Sequence, residues 1–236
     1  MSNKEFLLAL FLLVSSVGAT TAQTSRRDSA DAITRGNSSF ARADYETAIR
    51  EYATVPANAG ENYALALYNI GVSHYELWRT TEAIIHYRLA IAARHGHYPR
   101  ASYALGVALE DQGQLSEAKE AYEASIARGE YGPAHYRLGL LAAGKGDSEA
   151  AAASFRKAIS LGGLHVPASH NNLGVMLARL GRLSEAQREF ETALRETGGD
   201  FEDANRNLKL CRSLLAEPAN RIAAFRVSEV TAKPNK

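Results

Sequence analysis

The sequence predicts an all-α protein: an α-solenoid of five stacked helix pairs closed by a C-terminal capping helix. Three observations predict it. Glycines recur at Gly36, Gly71, Gly106, Gly139 and Gly174, in steps of 35, 35, 33 and 35 residues. Twelve residues after each glycine stands an alanine (Ala48, Ala83, Ala118, Ala151, Ala186), and four further on an aromatic ring (Tyr52, Tyr87, Tyr122, Phe155, Phe190). Alanine occurs 42 times in 236 residues, a composition that favours helices with small side chains at their contacts. A unit of this length cannot bury a core alone, so the units must stack.

Along the chain, residues 1–22 read as a signal peptide. Lys4 precedes an unbroken apolar run over 6–14, too short to cross a bilayer, which takes about 20 residues. Small residues at Val17-Gly18-Ala19 and Thr20-Thr21-Ala22 place cleavage after Ala19 or Ala22, so the mature chain is expected in the periplasm or outside the cell. A short linker, 23–28, leads to the repeat array over 29–216. Helix pairs are expected at 29–42 and 45–55, 61–77 and 80–94, 98–112 and 115–128, 131–145 and 148–160, and 167–180 and 183–196.

The punctuation fits these bounds. Gly113, Gly146 and Gly181 stop first helices, and Asp44 and Asp147 suit N-caps of second helices. Gly96, Gly129, Gly162 and Gly198 follow second helices. Pro99, Pro133 and Pro167 open first helices, where a missing N–H costs nothing. Within a second helix the alanine and the aromatic share one face. The glycine and alanine then mark helix crossings, and the aromatic is expected to fill the space between successive units. A last helix near 201–216 carries Asp203, Arg206 and Lys209, polar residues that suit a solvating cap. Residues 217–236, with Pro218 and Pro234, are expected to be mostly disordered, with room for a short helix at 222–225.

Charge and motifs narrow the function. Lys and Arg total 27 against 26 Asp and Glu, a net +1, which argues against a nucleic-acid partner. The single cysteine, Cys211, excludes an internal disulfide framework and reads as a small core residue. No phosphate loop, Gly-x-Ser-x-Gly elbow or His-Glu-x-x-His pattern occurs, so no catalytic residue and no cofactor are expected. His95 and His97, and His165 and His170, fall at links without a local carboxylate or cysteine. They read as polar link residues, and no metal site is expected. The alternating Glu117, Lys119, Glu120 and Glu123 read as a solvated outer face.

The stretches "ALYNIGVSHYELWRTTEAIIHYRLAI", "ASYALGVALEDQGQLSEAKEAYEASI", "AHYRLGLLAAGKGDSEAAAASFRKAI" and "SHNNLGVMLARLGRLSEAQREFETAL" resemble the tetratricopeptide repeat (TPR). The resemblance runs from about Ser29 to Leu215 and implies a right-handed solenoid. Two departures stand out. Leu67, Ser102, His135 and His170 replace the tryptophan often found four residues before the glycine, and links such as "ARHGHYP" and "SLGGLHVP" have a Sel1-like look. The resemblance implies that first helices line a concave groove. Residues three before and one after each glycine then face it: Ile33, Tyr68, Tyr103, Tyr136 and Asn171, and Asn37, Val72, Val107, Leu140 and Val175. Phe40 and Tyr75 join from the next turn, and Asn69, Asn172, Arg100, Arg137 and Arg179 from the rim. Tyrosines supply contact area and a hydroxyl, and amide and guanidinium groups satisfy carbonyls, so the face suits an extended peptide or a partner helix. The implied function is an exported, non-catalytic adaptor that binds protein or peptide and has no stable membrane insertion. The alternative is an accessory or chaperone subunit of an envelope enzyme or secretion complex. The chaperone-tail variant is disfavoured, because Ile33 stands where a lysine is expected before Asn37.

Overall fold

The computed structural model describes residues 27–127 and 131–216. The expected signal peptide, most of the linker, Gly129 and the C-terminal tail lie outside them. Every described regular element is helical. The first, α1, runs over residues 27–41. It is followed by α2 (Tyr45–Ala53), a 3-10 turn (Ala57–Ala59), α3 (Glu61–Glu76), α4 (Thr80–Ala93) and α5 (Pro99–Asp111). Then come α6 (Leu115–Ile126), α7 (Gly132–Gly144), α8 (Ser148–Leu161), α9 (Val166–Arg179), α10 (Leu183–Glu196) and α11 (Glu202–Ala216). The chain divides into two compact units, Met1–Gly113 and Gln114–Lys236.

In the first unit α2 packs on α3, α3 on α4 and α4 on α5, and α3 also touches α5. In the second, each helix from α6 to α11 packs on its successor, and α11 reaches back to α9. This sequential pairing is the solenoid the period predicts.

The repeating glycine is explained by one contact. A Cβ on Gly71 would lie 2.7 Å from the Tyr87 ring, and on Gly139 or Gly174 2.6 Å from Phe155 or Phe190. The same collision with Tyr52 would occur at Gly36. Each of these rings thus lies against the glycine of its own pair. The helix crossing inside the pair is close enough that only hydrogen fits under the ring, and Tyr52 also shares a core cluster with Ala66 and Ile70 of the next pair. Tyr52, Tyr87, Phe155 and Phe190 are buried, as are Ala48, Ala83, Ala151 and Ala186 beside them.

The caps follow the sequence. Asp44 accepts from the Thr47 N–H at 3.1 Å and Asp147 from the Ala150 N–H at 3.0 Å. Pro99, Pro133 and Pro167 occupy the first or second position of α5, α7 and α9. The residue that turns the chain between the helices of a pair is left-handed, with φ of 74°, 79° and 78° at Gly113, Gly146 and Gly181. In the first two pairs Ala43 and Trp78 take that place, each at φ 60°.

The C-terminal α11 stands as the first helix of a sixth pair would. It buries Leu208, Cys211 and Leu214 in the core that holds Val175, Met176 and Leu177, and turns Arg206 and Lys209 to solvent. Asn207 donates to Asn171 at 3.0 Å, a buried amide contact between α11 and α9.

Candidate functional site

In the first unit the residues expected at the binding face lie on α1, α3 and α5. Tyr68, Val72, Tyr75, Tyr103 and Val107 are half-buried, and Arg100 is exposed. Spacings of three and four on α3, and of three, four and seven on α5, keep each group on one stripe. The Tyr68 ring lies 5.9 Å from Tyr87 and 5.6 Å from Tyr98, so two neighbours hold its orientation. Tyr98 in turn carries the Arg94 guanidinium at 4.8 Å from its centroid, and Arg94 pairs with Glu61 at 2.7 Å. Burial pushes the Tyr87 phenol well above its ordinary range, with Tyr68 adding to the effect, so the Tyr87 ring is a neutral group. Tyr75 donates to Asp111, tying α3 to α5.

The amides Asn37 and Asn69 bond within the chain. Asn37 is exposed, but its Oδ1 accepts from the Tyr52 hydroxyl at 2.7 Å and from Asn69 Nδ2 at 3.3 Å. Asn37 and Asn69 therefore link α1, α2 and α3. Of the extended face, Ile33 is a core residue at 7 % exposure, and Phe40 is half-buried with its ring edge-on to Tyr45 at 5.1 Å.

In the second unit Arg137 and Leu140 on α7 are half-buried and Arg179 on α9 is exposed. Four of the expected face residues are inaccessible: Tyr136, Asn171, Asn172 and Val175 are each 0 % exposed. The physical reason is that later elements cover them. His165, in the α8–α9 link, stacks on Tyr136 at 4.7 Å with the rings 5° from parallel. Asn171 donates to Asn172 at 3.1 Å and accepts from the Asn207 side chain of α11 at 3.0 Å. Val175 lies one turn further along the Asn171 stripe, in the core that α11 closes. These four residues are wiring for the C-terminal end, and the open stripe of aromatic and aliphatic side chains is on α3 and α5.

Other groups singled out by the sequence have plain roles. His170 bonds Glu189 at 2.6 Å through Nδ1 and faces Glu196 at 3.7 Å through Nε2. Sequence reasoning missed both carboxylates, because they stand 19 and 26 residues away on α10. No cluster of three or more His, Cys, Asp or Glu suited to a metal occurs among the described residues. Burial raises the Cys211 thiol, which donates to the Leu183 carbonyl at 3.2 Å. Such a thiol is a packing group. Among the described residues no helix is long and apolar enough to cross a membrane.

Fold and face together define a helical-pair repeat protein whose first helices carry an open, partly aromatic stripe. The chain belongs to the tetratricopeptide repeat family, which matches residues 31–97, 90–133, 103–166 and 136–201. Members of that family are non-catalytic scaffolds for protein and peptide binding, and this chain is one of them. The Sel1-like look of the links has no support beyond the glycines and prolines that suggested it. No curated protein matches the chain. Among solved structures it is similar to MamA of Desulfovibrio magneticus, with 24% identity over 74% of this chain and 98% of that one, and a TM-score of 0.58. A thermophilic TPR protein of Thermus thermophilus is 22% identical over 79% of this chain and all of its own, at a TM-score of 0.53. YrrB, described as a TPR protein with an unusual peptide-binding site, is 21% identical over 65% and 78% of the two chains, at 0.57. At these identities the likeness is one of fold.

Proposed function

We propose that this chain is an exported adaptor that holds an extended peptide or a partner helix against the first-helix stripe of its second and third repeats. The observation that carries the reading is the exposure pattern: Tyr68, Val72, Tyr75, Tyr103 and Val107 stay half-open, while the equivalent Tyr136, Asn171 and Val175 are covered. A segment laid across α3 and α5 meets two tyrosines one repeat apart, with Arg100 at the edge to donate to a carboxylate or a carbonyl. Apolar burial supplies the affinity and the polar edge fixes the direction.

Export rests on the apolar run at 6–14 and the small residues that end at Ala19 and Ala22. N-terminal sequencing of the native protein is expected to begin at Thr20 or Gln23; an intact Met1 in a soluble cytosolic fraction contradicts it. The binding face is tested by a photo-crosslinking amino acid placed at Val107 or, as a control, at Glu123. The reading expects one recurrent partner segment joined at Val107 and not at Glu123. The reverse pattern overturns it.

A further inference from the structure

The outer face of α4, turned away from α3 and α5, differs from every other second helix. Ile85 stands where the other repeats have Arg50, Glu120, Ala153 and Arg188, and Leu89 where they have Thr54, Ala124, Lys157 and Thr192. At the head of the same helix, Trp78 replaces Ala43, Gly113, Gly146 and Gly181. These three side chains are 90%, 50% and 46% exposed for Trp78, Ile85 and Leu89 respectively. Ile85 and Leu89 are four apart and share a stripe, which Thr81 and Ala92 extend in both directions. Trp78 sits in the left-handed turn at φ 60°, a conformation unfavourable for a bulky side chain. A large ring held in a costly backbone position, with none of the described residues over it, is a surface kept for contact.

We propose that this face is the interface between two copies of the chain, joined α4 to α4 by an antiparallel two-fold axis near Ile85. A closed two-fold contact needs one patch that complements itself. An antiparallel arrangement about Ile85 lays Trp78 of one copy over the small Ala92 of the second, and Leu89 against Thr81, whose hydroxyl accepts from Gln112 Nε2 of its own copy at 3.1 Å. Exposed Glu82 and Arg88 flank opposite sides of the stripe, so neither meets its own twin at the seam. The apolar centre is about 300–400 Å², the size of the largest patch on a typical monomer. A standard interface takes about 800 Å² from each partner, so the apolar centre supplies about half of that. The area is therefore enough for a weak, concentration-dependent dimer and leaves the first-helix stripe open in both copies.

Trp78 is the single tryptophan of the sequence, so its fluorescence reports the contact directly. Sedimentation equilibrium and emission spectra are recorded on the purified chain across roughly 1–100 μM, the range of weak specific dimers. The expected result is a doubling of mass with a parallel blue shift of the emission. Ile85→Glu is expected to move the midpoint at least tenfold higher. Trp78→Gly, which suits the left-handed turn and so protects the fold, is expected to do the same by sedimentation. A chain that stays monomeric across the range overturns the proposal. So does a dimer that persists in both variants, or a blue shift seen only when phospholipid vesicles are added, which would make a lipid surface the occupant.

Discussion

Adding one methyl group at Gly139 tests the packing argument on which the whole register rests. The Cβ of Gly139→Ala would stand 2.6 Å from Phe155 Cε1 and 2.8 Å from its Cδ1, about an ångström inside ordinary contact. Phe155 is fully buried, and the Tyr136 ring lies 5.9 Å away centroid to centroid, so the ring has nowhere to retreat without moving a second side chain. Overpacking of this kind costs about 1–3 kcal/mol. The better helix propensity of alanine returns up to about 1 kcal/mol. With the full propensity gain counted, the net loss is up to about 2 kcal/mol. Gly144, five residues along the same helix, has nothing within 4 Å of an added Cβ, so Gly144→Ala receives the propensity gain without the clash. Urea unfolding followed by far-UV circular dichroism measures both. The midpoint is expected to fall for Gly139→Ala and to hold or rise for Gly144→Ala. Gly139→Ala combined with Phe155→Leu is expected to recover part of the loss, as coupled neighbours do. Equal midpoints for the two alanine variants would refute the reasoning.

Two further outcomes follow from the same structure. Asp147→Ala removes the side-chain acceptor of the Ala150 N–H and is expected to cost about 1 kcal/mol in the same urea assay, with Asp147→Asn close to wild type. Burial, with the Arg137 charge behind it, holds the His165 imidazole below its ordinary value of 6.5, and burial does the same at His74, with His86 beside it. The unfolded chain therefore binds more protons than the folded one as the pH drops through that value, so stability is full above it and is lost on acidification. Unfolding midpoints are expected to decline from pH 7 to pH 5, and His165→Phe, which keeps the stack on Tyr136, is expected to make the decline shallower.

The helix map was legible because it depends on short-range chemistry. The fifth second helix was expected at 183–196 and is Leu183–Glu196; the third first helix was expected at 98–112 and is Pro99–Asp111. Glycine turns, proline starts and aspartate caps each act over a few residues, and the repeat states them several times. The binding face was legible only in part. Position on a first helix follows from spacing to the glycine, and so Tyr68 and Tyr103 were placed on the open stripe. Whether such a residue stays open depends on what the chain lays over it later. Tyr136 occupies the same column but lies under His165, and Asn171 lies under Asn207, 36 residues further on. No local pattern encodes that cover. The Asn37–Tyr52–Asn69 network was hidden for the same reason: an amide that crosses repeats looks like any rim amide in one dimension. Trp78 is legible in the sequence as a bulky residue in a column otherwise filled by glycine and alanine.

The central claim is that the first-helix stripe of α3 and α5 is the working surface. The measurement that tests it most directly is the affinity of the crosslinked partner segment for Tyr103→Ala and for Glu123→Ala, by isothermal titration, with circular dichroism to show that both are folded. Glu123 pairs with Lys119 at 3.2 Å on a second helix, about half exposed, and serves as the control surface. The account predicts a loss of about 2 kcal/mol or more for Tyr103→Ala, as for a central contact residue, and a change within about 0.5 kcal/mol for Glu123→Ala. Wild-type affinity in Tyr103→Ala together with weakened binding in Glu123→Ala would contradict it and move the working surface to the second helices.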